Sequence, residues 1–195
     1  MADYTWPTGR NFCPSNFRIH RVSFGHASRS PVTGDGQDRP TLGWFWAGSM
    51  LLVPTTHEER AEVEARLHGW GAGDRMTFGH MGRRKRGTVT GSVTVVGSHS
   101  AGARSITIAG TNAQTIRAAD MFNLEGCFYQ TLEDATLSGT TTLHLVGTLL
   151  TDLANGDALN FDTPTSKWIR TSPIPVEYVP GYSPPIEVTF EERRD

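Results

Sequence analysis

A helical period survives in one convincing stretch of this chain. Residues 57–70 (HEERAEVEARLHGW) place Val63, Leu67 and Trp70 on one stripe, with Glu and Arg opposite. Thr56 and Glu59 have capping-box spacing: the hydroxyl takes an orphan amide of the first turn, and the carboxylate reaches back to the cap amide. Glu62 and Arg66 form an i, i+4 pair in the favourable order. Gly69, Gly71 and Gly73 stop the helix, because glycine enters the left-handed region without a Cβ penalty. Nearly everything else alternates with period two, or runs apolar, between Gly, Pro and Asn turn signals. A chain with one helix and many short strands must be mainly β.

Residues 17–24 (FRIHRVSF) read as a strand of ambiguous register, with Phe17, Ile19 and Arg21 on one face and Arg18, His20, Val22 and Phe24 on the other. A turn-rich loop is expected over 28–40. Residues 41–53 (TLGWFWAGSMLLV) resume as a near-continuous apolar strand, the pattern of a strand buried on both faces. Trp44 and Trp46 share one face; Phe45 and Ala47 share the other. A short return strand follows at 76–78. Beyond Gly82 and Gly87 (GRRKRG) the texture changes to short Thr/Val/Gly strands with hairpin signals at Glu125-Gly126 and Asn155-Gly156. Six or so such strands suit a small barrel or sandwich. The proline-rich stretch 173–185 reads as an extended edge or linker. Ile186, Val188 and Phe190 alternate with Glu187, Thr189 and Glu191 in a final strand that completes the first sheet. The expected organisation is a β-sandwich host over 1–87 plus 166–195, with its helix at about 56–69, and an inserted all-β module, a small barrel or sandwich, over 88–165.

Composition narrows the function classes. A length of 195 residues fits one domain carrying a smaller insertion. The longest mostly apolar run, 42–53, is short of the roughly 20 residues a membrane helix needs. No basic start followed by an apolar stretch opens the chain, so no secretory signal is expected. Cys13 and Cys127 are read as reduced thiols of a protein made in a cytoplasm. Of the 18 basic residues only Lys85 and Lys167 are lysine, a bias that genome composition explains better than a preference for bidentate interface pairs. Net charge is −2, but residues 1–87 carry net +4 and residues 88–195 net −6. Oppositely charged halves can steer one copy onto another.

Motifs of chemistry are incomplete. His57-Glu58-Glu59-Arg60-Ala61 opens like a zinc-protease helix, but Ala61 stands where the second His belongs. Ser98-His99-Ser100-Ala101-Gly102 imitates a nucleophile elbow without its first Gly or its strand-to-helix context. Residues 152–157 (DLANGD) miss calcium-loop spacing and read as a hairpin turn. Neither a P-loop nor a dinucleotide fingerprint is present, and the seven His are scattered, His20 and His26 being a weak pair. No catalytic, cofactor-binding or metal-ligating residue is assigned, no cofactor is expected, and the chain is read as a non-enzyme. Arg83, Arg84, Lys85 and Arg86 form the one charge cluster. They could contact phosphates, sit in a solvated loop, or meet an acidic face of a neighbouring subunit. Trp44, Trp46 and Tyr129 could stack sugars, although Trp in an apolar strand is more often core or subunit interface.

Residues 119–135 (ADMFNLEGCFYQTLEDA) set a small residue and Asp120 before alternating apolar residues, Gly126, Tyr129 and Asp134-Ala135. Gly156-Asp157-Ala158-Leu159, Pro164 and Trp168-Ile169-Arg170 follow. Upstream lie the apolar strand 50–54 and a helix of acidic and basic residues over 58–67. This succession, across about 15–190, resembles minor tail or distal-tail-like proteins of tailed bacteriophages. The resemblance implies a tail-tube-like β-sandwich with one flanking helix. It implies a homo-oligomeric ring, six-fold, around the tail channel, with other phage tail proteins as partners. DNA would enter only by passing through the channel, and no membrane is involved. The place would be the virion tail, assembled in the bacterial host cytoplasm. No catalytic residues come with the family. The other readings are a carbohydrate- or receptor-binding adhesion module of a virion, a head–tail connector component, and a hydrolase with an unrecognised site.

Overall fold

The computed structural model describes residues 2–29, 36–71, 73–81, 84–177 and 179–193. The chain runs through β1 (Asp3–Thr5), a 3-10 turn (Arg10–Phe12), β2 (Asn16–Arg29), β3 (Gly36–Leu52), α1 (His57–Gly69) and β4 (Arg75–Gly79). It continues through β5 (Val93–Val95), β6 (Ser105–Ala109), β7 (Thr115–Ile116), β8 (Met121–Leu124), β9 (Cys127–Gln130), β10 (Ala135–Thr136), β11 (Thr140–His144) and β12 (Ala158–Leu159). It closes with β13 (Thr165–Arg170) and β14 (Ile186–Glu192). A six-stranded sheet has the order β1-β4-β13-β14-β3-β2; β1 is parallel to β4 and the other neighbours are antiparallel. The strands between β4 and β13 form a four-stranded sheet, β11-β6-β5-β12, and the ribbons β7–β10 and β8–β9. Among the described residues the fold is mainly β with a single α-helix, in the manner of a β-sandwich, and none of the sheets closes into a barrel. The barrel form expected for 88–165 is therefore not what these strands build. With two to five residues each, they pair in small separate groups.

Two expectations from the sequence need correcting. The stretch 28–40 is a strand pair rather than a loop at both its ends: β2 and β3 stay in register from Gly25↔Pro40 to Arg29↔Gly36. Residues 30–35 of that expected loop lie outside the described residues. Gly and Pro suggested a break, but Pro40 sits close to a register shift between Ser23 and Gly25, and irregularities of that kind are where a strand tolerates proline. Nor is β3 buried on both faces. Trp44, Trp46, Met50 and Leu52 are buried, whereas Phe45, Ala47 and Leu51 on the other face are half-buried.

The helix forms as its residues dictate. The Thr56 hydroxyl accepts from the Glu59 amide at 3.1 Å, and the Glu59 carboxylate accepts from the Thr56 amide at 3.3 Å. Val63, Leu67 and Trp70 are buried. The helical ion pair is Arg60–Glu64 at 2.7 Å; Glu62 instead accepts from the Asn11 side-chain amide at 3.2 Å.

One contiguous core unites the large sheet, the helix and the β5–β12 layer. All five tryptophans are buried, and each indole N–H donates to a backbone carbonyl. Trp6 reaches Phe12, Trp44 reaches Thr148, Trp46 reaches Phe128, Trp70 reaches Asp74 and Trp168 reaches Phe78, at 2.8–3.0 Å. Burying the apolar body of one such ring contributes about 4–6 kcal/mol as an upper bound, and the bond saves its polar atom from desolvation without a partner. Trp44 and Trp46 thereby tie β3 to the β5–β12 layer. A Cβ on Gly147 would lie 2.8–2.9 Å from the Trp44 ring, so this contact requires glycine there.

Candidate interaction site at the neck

Among the described residues the chain passes between the large sheet and the β5–β12 layer at 84–92 and at about 160–165, and these two crossings lie side by side. Lys85 Nζ contacts Asp162 Oδ1 at 2.7 Å and also donates to the Val89 carbonyl. The other Asp162 oxygen accepts from the Gly91 amide at 3.1 Å. The Lys85 bond, with the Gly91 amide, holds the Asp162 carboxyl below the usual carboxylate range. Asn160 Oδ1 accepts the Asp162 and Thr163 amides, turning the second crossing.

Asp120 fastens the first crossing to the β7–β8 turn. It is 2 % exposed, and its two oxygens accept from the Arg86, Gly87 and Arg117 amides at 2.7–2.9 Å. A Cβ on Gly87 would lie 2.2 Å from the Thr115 carbonyl oxygen, so only glycine allows this approach. From the β9–β10 connection Asp134 braces the same turn, accepting from the Ala118 amide and from Arg117, each at 2.7 Å, and these bonds lower its pKa. Ala119, between them, has a positive φ of 70°, a region unfavourable for a residue with a Cβ.

Beside these contacts opens a cleft of about 580 Å³, lined by His80, Arg84, Ala119, Phe161, Asp162 and Pro164 among others. The four cations of the cluster thus have different fates. Arg83 lies outside the described residues. Lys85 is consumed by Asp162. Arg86 is exposed, with its guanidinium 3.4 Å from the Ala118 carbonyl. Arg84 is exposed at the cleft and makes no hydrogen bond or ion pair among the described residues.

The other residues singled out from the sequence do not converge. His20 is exposed on β2, His57 is exposed at the start of α1, and His99 accepts the Thr107 amide at 3.1 Å. In the 152–157 turn, Asp152, Asn155 and Asp157 accept the amides of Ala101, Gly97 and Ala154, so their oxygens brace turns. No group of three or more His, Cys, Asp or Glu suited to a metal ion occurs among the described residues. Cys13, exposed, and Cys127, buried, are not joined in a disulfide. No described helix is long and apolar enough to cross a membrane. Trp44, Trp46 and Tyr129 are 4 %, 6 % and 1 % exposed, so none offers a face to a sugar. Two buried carboxylates, Asp120 and Glu192, were invisible as such in sequence; Asp120 stood out only as one member of the 119–135 pattern.

A scan of protein families and a search of curated proteins find no match to this chain.

Proposed function

We propose that this chain is a non-enzymatic structural subunit of a phage tail or tail tip, forming a ring around the tail channel and joining tube to tip components. Beside the order of motifs in the sequence, one observation carries the reading: the β2–β3 hairpin. β14 pairs with β3 only as far as Ala47, opposite His20, whereas β2 and β3 continue together to Arg29 and Gly36. Beyond the shift at Ser23/Gly25 the ribbon has no third strand among the described residues. Over five pairs it extends about 15 Å. A long free edge and a lone ribbon are liabilities in an isolated molecule, and neighbouring subunits relieve them. The partners are further copies and other tail proteins, and DNA passes through the channel without being read. The place is the virion tail, assembled in the host cytoplasm. The glycan-binding reading loses support because its three platform residues are buried.

Electron microscopy of intact particles, with this chain located by antibody labelling, tests the proposal. The expected result is a closed ring, six-fold, on the tail axis. Particles that lack the chain, or a chain that stays monomeric alongside its co-expressed neighbours, overturn it.

A further inference from the structure

Two unpaired features lie at opposite ends of β13. At its start is the neck cleft with Arg84 at the mouth. After its end runs the proline-rich strap, 171–185. The strap is fastened at both ends: Ile174 is buried, Arg60 donates to the Pro184 carbonyl, and the Ser183 hydroxyl donates to the Thr56 carbonyl at 3.5 Å. Between these anchors Val176 is 75 % exposed, the most exposed of the large apolar side chains described. Glu177 beside it is exposed and has no hydrogen-bond or ion-pair partner among the described residues. An apolar residue and a carboxylate, presented on a strap already restrained by prolines, lose little entropy on docking. The cleft offers the complement: one exposed guanidinium, with Ala119 and Pro164 as an apolar wall backed by Phe161.

We infer that the strap of one copy docks in the neck cleft of the next, Glu177 pairing with Arg84 while Val176 packs against the Ala119–Pro164 wall. The cleft borders the start of β13 at Thr165 and the strap follows its end at Arg170, so the two surfaces are distinct patches of one molecule. Such a contact is head-to-tail, and repeated copies close into a ring or extend as a filament. Among the described residues that line the cleft Arg84 is the one guanidinium, and it suits one carboxylate better than a nucleic-acid backbone, which calls for a row of cations. The inference shares with the proposed function only the requirement that copies meet.

Charge reversal tests it, using the full chain and sedimentation velocity. Arg84→Glu and Glu177→Arg each weaken self-association at least about ten-fold, while the double variant, in which the charges are exchanged, recovers to within about three-fold of the parent. Circular dichroism confirms that the variants fold, since both positions are exposed. Single variants that associate like the parent overturn the inference, as does a double variant no better than the singles. If rings persist in micrographs of both single variants, this contact is wrong while the ring reading stands. A chain that is monomeric at every concentration and absent from particles overturns both.

Discussion

On β14 the Glu192 carboxylate is 5 % exposed; it accepts the Phe128 amide at 2.9 Å and the Ser166 hydroxyl at 2.7 Å. The Phe128 bond crosses from the large sheet to β9, where no backbone ladder joins the two, while Ser166 lies on the neighbouring strand β13. Glu192→Ala strands a buried amide and is expected to lower stability by about 2–3 kcal/mol, with Glu192→Gln milder because it keeps an acceptor oxygen. Urea midpoints of the three proteins check the order. Asp162 is a different case, since it is solvent-accessible and matters through pH. Its folded pKa is depressed by Lys85 and Gly91, so its contribution is full above the unfolded value and fades as pH falls through the folded one. The gap in Tm between the parent and Asp162→Asn should accordingly be constant at neutral pH and shrink below about pH 4. A gap that widened on acidification would contradict this assignment.

Among the elements, α1 was the most legible, because its cap and its stripe are both local. Thr56→Ala removes the hydroxyl from the Glu59 amide and should cost about 1 kcal/mol, read as a shift in the urea midpoint at unchanged slope. The β2–β3 hairpin was legible only in its apolar half. Its far half is rich in Gly and Pro, and the pairing resumes there after a register shift that no short-range pattern announces. The alternation in β3 was masked for a related reason. Phe45, Ala47 and Leu51 are as apolar as the buried set, and half-burial of one face is decided by what packs there. A two-stranded ribbon is marginal by itself in water, so amide hydrogens at 25–29 and 36–39 should exchange well before those of the β3–β14 ladder. Assembly with neighbours should slow that exchange.

At the scale of the whole molecule, the change of texture at GRRKRG marked where the chain leaves the large sheet, while the neck itself stayed illegible. Lys85 and Asp162 are 77 residues apart, and nothing local shows that one cation in a run of four is neutralised by a carboxylate beyond the intervening strands. The shared core leads to a prediction here. Trp44 and Trp46 bond into the β5–β12 layer, and Phe128 packs on Trp168 at 5.7 Å between ring centroids. The two parts should melt together: far-ultraviolet dichroism and tryptophan fluorescence should trace one coincident transition. Two separated transitions would mean that the layers are energetically independent.

The neck has an evolutionary consequence. Because Lys85 and Asp162 bring the outgoing and returning chain within one ion pair, the intervening sequence leaves and re-enters the large sheet at a single point. Such an arrangement is a cassette: recombination at the two crossings could exchange everything between them while the flanking strands keep their order. The restriction falls on the newcomer, which must roof Trp44, Trp46 and Trp168 and supply carbonyls for the first two indoles. Relatives of this chain would then diverge fastest between the crossings, except at the few positions that meet those rings.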